Sequence, residues 1–211
     1  MIGESSRGKE PVFFMSRRLV KPENDDNWME FAMKDREKLI EEQIKIEEEI
    51  EATQLTGIKQ KILEFLINEK QFKPEEIETD PQFKLTLGDR ETIVGIDFVV
   101  NLPLASFMVI QCSSGSLEAW ERYVTSFARV VKDYQIPYAA VTDGEKALII
   151  DVLGGRLIGE SLSDLFTRGE TLNRIKDFKK IPCPANRLEK EKRIVYAFES
   201  IKSPTIKDFK E

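Results

Sequence analysis

Apolar residues are set among the charges of this chain in two rhythms, one helical and one extended, and the change from one to the other marks out its elements. From Trp28 to about Leu55, Met29, Phe31, Met33, Leu39, Ile40, Ile44, Ile46 and Ile50 lie among many glutamates with no internal glycine or proline, which predicts one long charged helix. Its apolar spacing is irregular. That fits a solvated helix laid on a domain, and it also fits a dimerising or partner-binding helix. Thr56-Gly57 predicts an interruption, after which Ile58, Ile62, Phe65 and Leu66 recur at i, i+4, i+7 and i+8. That spacing gives a compact helix with one face for a sheet, ending near Phe72-Lys73-Pro74.

The rhythm then shortens to two. Phe83, Leu85 and Leu87 alternate with Lys84 and Thr86, Gly88-Asp89-Arg90 turns the chain, and Thr92 to Val100 is a β-rich run, so the two read as a hairpin. Phe107-Met108-Val109-Ile110 is wholly apolar, as a strand buried on both faces must be. A Ser/Gly turn leads to a helix from Leu117 to about Asp133; Ile136 to Thr142 is the next strand, and Ala147 to Val152 pairs back after the Asp143-Gly144 turn. The expected architecture is α/β: a mixed sheet flanked by helices, with Thr92–Val100 beside Phe107–Cys112. A helical tail follows, with short helices around Leu162–Phe166, Leu172–Phe178 and Leu188–Ile201. The chain divides on this reading into a flexible arm (1–27) closing on a helix N-cap, a long charged helix (28–55), a core (56–160) and a helical C-terminal extension (161–211).

Composition narrows the chemistry. A chain of 211 residues, 41% of them hydrophobic, supplies one ordinary core with residues left for arms. It contains no histidine, which excludes Ser-His-Asp and Cys-His catalysis, His-ligated zinc and imidazole acid–base work. No G-x-x-x-x-G-K-[ST] or G-x-G-x-x-G motif is present. The two cysteines, Cys112 in an apolar run and Cys183 between prolines, have neither metal-knuckle nor disulfide-framework spacing, so Cys112 reads as a small core residue and the compartment as reducing. The early apolar patch Pro11–Met15 is stopped by Arg17 and Arg18, and no later stretch approaches the ~20 apolar residues of a spanning helix. A soluble, cytoplasmic protein with no membrane association is expected. The net charge of −6 disfavours general nucleic-acid binding, although basic residues outnumber acidic ones between Arg168 and Arg193. That run is either a solvated helical face or a phosphate-binding surface.

One carboxylate stands out. Asp97 lies between Ile96 and Phe98-Val99-Val100, in a run that otherwise reads as buried, where an ionised group needs a cation or hydrogen-bond donors. Either a metal or backbone donors at a strand end would satisfy it. Gln111 and Ser113, two apart at the end of the next strand, project from one face and can lie beside it.

These stretches resemble the PD-(D/E)xK, or restriction-endonuclease-like, superfamily, and within it the N-terminal nuclease domain of type I restriction enzyme R subunits. Thr92–Val100 resembles that domain's acid-bearing strand. Ile136–Gly144 resembles its "P-hydrophobic-T-N-G" strand and turn, and Asp151-Val152 its following strand end. In the family, Asp and Glu hold Mg²⁺ and Lys positions or activates the attacking water. The resemblance places Asp97 at the metal-binding acid, Gln111 at the Glu position, Ser113 at the Lys position, and Asp80, or less readily Glu78, at the acid contributed early in the fold. Tyr123 and Phe127 lie on the helix that bears a Gln and a Tyr in the family. Gln111 can ligate Mg²⁺ through its carbonyl but removes a charge, and Ser113 supplies no cation. The implied site is Asp97, Gln111, Ser113 and Asp80, with Asp97 and Gln111 as a weak Mg²⁺ pair, unless Glu118 or Glu121 and Lys84 or Lys146 have taken over the missing roles. The expectation is a nuclease-fold protein of weak or absent catalysis, retained to bind DNA or a partner. Two alternatives stand beside it: an active Mg²⁺-dependent endonuclease with a rearranged site, and a structural module forming homo-oligomers through 28–55.

Overall fold

The computed structural model describes residues 28–202, so the arm expected over 1–27 lies outside the described residues. The first helix, α1, runs unbroken from Trp28 to Asn68. Thr56-Gly57 does not interrupt it, because Thr56 Oγ1 donates back to Ala52 O at 2.8 Å and no atom stands within 4 Å of where a Gly57 Cβ would be. A helical glycine in open solvent costs about 1 kcal/mol against alanine, too little to end a helix anchored on one side. The anchor is Ile62 and Leu66, both fully buried. By compactness the chain forms two units, Met1–Glu49 and Ile50–Glu211. In the first, Met33, Leu39, Ile40, Ile44 and Ile46 are exposed.

The second unit is built on a mixed six-stranded sheet. Its strands are β1 (Ile77–Thr79), β4 (Phe98–Asn101), β5 (Ser106–Cys112), β6 (Tyr138–Thr142), β7 (Lys146–Asp151) and β8 (Arg156–Ser161), in the order β1-β4-β5-β6-β7-β8. All neighbours pair antiparallel except β5 and β6, which run parallel and are joined through helix α2 (Leu117–Val130). Every residue of β5 is buried, as its apolar run requires of a strand covered on both faces. α2 begins at Ser116, whose hydroxyl accepts from the Ala119 N–H, and presents Tyr123, Val124 and Phe127, all fully buried, to the core. Helix α4 (Ala185–Lys202) packs on α2 and reaches the hairpin strands. Shorter α3 (Arg168–Ile175) starts on a capping box between Thr167 and Glu170. The mixed α/β sheet flanked by helices is thus as expected, with an added edge strand at each side, β1 and β8. Among the described residues no helix is long and apolar enough to cross a membrane.

The expected single strand Thr92–Val100 is two strands. Gln82–Leu87 (β2) and Arg90–Gly95 (β3) form a separate two-stranded sheet whose register ends at Gln82 opposite Gly95. The chain then crosses at Ile96-Asp97 into the main sheet, where Phe98 starts β4 opposite Ile110. Backbone bonds fix the crossing: Asp80 N–H donates to Asp97 O at 2.8 Å and Ile96 N–H to Pro81 O at 3.4 Å. Asp97 therefore sits at a bend between two sheets, and its side chain is released from strand alternation.

Candidate functional site

The bend turns Asp97 onto the end of β5. Its residue is 6% exposed, and both carboxylate oxygens are engaged. Oδ2 accepts from the backbone N–H of Cys112 and from Nε2 of Gln111, each at 2.6 Å. Oδ1 lies 2.6 Å from Nζ of Lys59, which also donates to Oδ1 of Asp80 at 2.6 Å. Asp80 reaches this point because it sits at positive φ (48°) at the turn into β2, a conformation that short polar side chains tolerate. Asp97 is thus met by a backbone donor, an amide and an ammonium together.

Gln111 faces two ways. Its NH₂ donates to Asp97 and to Cys112 O (2.9 Å), while Oε1 accepts from Nζ of Lys202 at 2.8 Å. Lys202 has only protons to offer, so the amide oxygen must point to it and the NH₂ to the carboxylate. Lys202 stands at the end of α4 and donates as well to Gly95 O (2.9 Å) and Tyr123 OH (2.7 Å), lying 4.0 Å from the centre of the Tyr123 ring. Glu199, one turn earlier, accepts from Tyr123 OH and lies 3.5 Å from Lys202. The site is a closed chain of donors and acceptors linking α1, the β3–β4 bend, β5, α2 and α4.

Its electrostatics follow from that closure. Burial pushes the Lys59 ammonium down, but hydrogen bonds to Asp80 and Asp97 outweigh it and hold the group above its ordinary value of 10.5. For Lys202 the balance is opposite: burial dominates over Glu199 and Asp97 and holds it below 10.5. Burial, reinforced by Glu199, raises the Tyr123 hydroxyl, so that it stays a donor. Burial also pushes the Cys112 thiol up, as for an inert core residue.

Of the residues singled out from sequence, Asp97, Gln111 and Asp80 come together, and Tyr123 joins them through Lys202. Ser113 does not bond to Asp97: its N–H donates to Thr142 O at 2.9 Å and its hydroxyl accepts from Gly115 N–H at 3.1 Å, because it lies past the end of β5 in the turn. Glu78 accepts from Asn101 at 3.0 Å on another part of the sheet, and Glu118 accepts from Ser116 at 2.7 Å. Lys84 and Lys146 are exposed. Sequence reasoning missed Lys59, Lys202 and Glu199. Nothing in one sequence marks Lys59 among 32 basic residues, since its role is set by where α1 passes the bend. Among the described residues no three Cys, Asp or Glu side chains cluster in a way that would hold a metal ion.

A mixed sheet with a buried carboxylate at the end of its paired β4 and β5, backed by a parallel β5-α2-β6 crossover, defines a mixed α/β domain. The chain matches the family described as Type I restriction enzyme R protein N terminus (HSDR_N) over residues 56–165, more than half its length, and belongs to it. The match begins in α1 and ends in the turn after β8, where Leu165 is buried. No curated protein and no solved structure matches the chain.

Proposed function

We propose that this domain keeps the fold of its family and acts by binding DNA or a partner, without metal-dependent hydrolysis at the family's site. The observation that carries this reading is the engagement of both Asp97 oxygens, Oδ1 by Lys59 and Oδ2 by Gln111 and the Cys112 N–H. Mg²⁺ prefers carboxylate oxygens in near-octahedral array and gives up its waters reluctantly. The donor set does not fit it. A cation beside Asp97 would meet one ammonium at Oδ1, and the Gln111 carbonyl it would need is already on a second. The same groups satisfy one another, so the network supports a structural role for what the family uses as a reaction centre. The binding role rests on charge: Lys176, Lys179, Lys180 and Arg187 are exposed on the segment where basic residues outnumber acidic ones.

The test is nicking of supercoiled plasmid by the unmodified protein in Mg²⁺ and in Mn²⁺, with EDTA as control. No nicking above the EDTA background is expected. Metal-dependent nicking that disappears in Asp97→Asn would sink the reading in favour of a rearranged active site, with Lys59 as its amine.

A further inference from the structure

We infer that the groove between α2 and α4 receives the acidic N-terminal half of α1 from a second copy of this chain. The groove holds about 410 Å³ and has an apolar floor of Ile194, Ala197 and Phe198. Arg122, Lys190 and Arg193 stand at its rim. Lys190 and Arg193 are exposed and form no ion pair among the described residues, and the Arg122 side chain remains 45% exposed although it pairs with Glu191. The floor extends along α4 to Ile201, which is 67% exposed.

The occupant is indicated by α1 itself. At 100° per residue Met33, Ile40 and Ile44 fall within about 40° of one another, on the face that Ile58 and Ile62 continue. Ile62 is fully buried in the core and Ile58 packs against it, whereas Met33, Ile40 and Ile44 are 61%, 45% and 48% exposed. One face of one helix is therefore covered at its C-terminal end and bare at its N-terminal end. Exposed Glu37, Glu41, Glu47 and Glu48 edge the bare part. Residues 33–51 carry eight acidic and four basic side chains, a formal charge of −4, against three basic groups and Glu189 around the groove. A helix with an apolar stripe and acidic edges, set on an apolar floor with a basic rim, is the helix-in-groove mode of recognition. Reciprocal exchange between two copies closes a two-fold dimer, in which the same pair of surfaces is used twice. Association of this kind is independent of whether the Asp97 site cleaves.

The experiment is the mass of the full chain by light scattering across a concentration series. Twice the 24.3 kDa of one chain is expected. Lys190→Glu/Arg193→Glu and, separately, Glu41→Lys/Glu48→Lys should each weaken association by at least about tenfold, since each opposes like charges at the rim. Combining the four changes in one chain should restore the dimer. A chain that stays monomeric at its highest soluble concentration overturns the proposal, as does a dimer indifferent to both pairs of changes. Loss in both variants without rescue in the combination overturns it too, and assigns the groove to some other occupant. All the altered residues are exposed, and coincident thermal melts establish that mass changes report association.

Discussion

Lys59 places its ammonium 2.6 Å from both Asp97 Oδ1 and Asp80 Oδ1, so one lysine on α1 bridges the acid at the sheet bend and the acid before β2. Its side chain is 26% exposed and that of Asp97 8%, so the Asp97 pair is poorly screened, while Asp80 at 68% is well solvated. Removing one partner of a buried pair leaves an uncompensated charge, at roughly 3–5 kcal/mol. Lys59→Met is expected to lower the unfolding free energy by about that much in urea denaturation. Adding Asp97→Asn should recover part of the loss. A Lys59→Met loss under about 1 kcal/mol, the range of exposed pairs, would mean that the Gln111 and Cys112 donors satisfy Asp97 unaided.

Gln111→Glu with Ser113→Lys would place a carboxylate at the end of β5 and an amine in the turn that follows it. Lys202, 2.8 Å from Gln111 Oε1, is placed to accommodate the new carboxylate. Lys59 still competes for Oδ1 of Asp97, so weak Mg²⁺-dependent plasmid nicking is expected from the double variant and stronger nicking once Lys59→Ala is added. Asp97→Asn in either background should abolish it. Nicking that survives Asp97→Asn would place the reacting centre on other residues.

Glu76 and Arg168 give a pH-dependent contribution outside the site. Arg168 Nε and Nη2 donate to the Glu76 carboxylate at 2.8–3.0 Å, joining the N-terminus of α3 to the turn before β1. The guanidinium bonds hold Glu76 below its ordinary 4.5, against burial. The folded state then binds that proton less readily than the unfolded state, so the stabilisation is complete above about pH 4.5 and is lost as pH falls through the lower folded value. Glu76→Gln should lower stability near neutrality and flatten the acid limb below about pH 4.5, read from urea midpoints across pH. An acid limb parallel to that of the unmodified protein would refute this.

Any DNA binding should reside in exposed charges and be salt-dependent. Lys179→Glu/Lys180→Glu is expected to weaken binding to unrelated duplexes alike and to reduce the slope of log K against log salt by about one for each phosphate that is no longer neutralised. Gel-shift titrations across a salt series would show it. Affinity flat between low and physiological salt, or unaltered by the two changes, would remove DNA from the proposed partners.

The elements were legible where one period persisted. The i, i+4, i+7, i+8 spacing of Ile58, Ile62, Phe65 and Leu66, the alternation through β2 and the unbroken apolar run of β5 each state an environment that the structure supplies. Asp97 and Gln111 were legible as neighbours for the same reason: a polar residue in an apolar run must be met by something, and register puts the next strand's end beside it. The continuity of α1 through Gly57 and the break of the Thr92–Val100 run at Ile96-Asp97 were not, because both depend on what the segments are anchored to. Local sequence states a preference of about 1 kcal/mol at such points, and packing or pairing overrides it.

By itself the sequence determined the mixed α/β fold, the family likeness, and the polar residues Asp97 and Gln111 set in apolar runs. Tertiary structure alone decided what meets Asp97. Lys59 and Lys202 lie 38 and 105 residues from it along the chain, one before it and one after, and no spacing rule connects them to it. Their ammonium groups stand there because α1 passes the bend and α4 ends against α2, and a charge is satisfied by whatever reaches it in space.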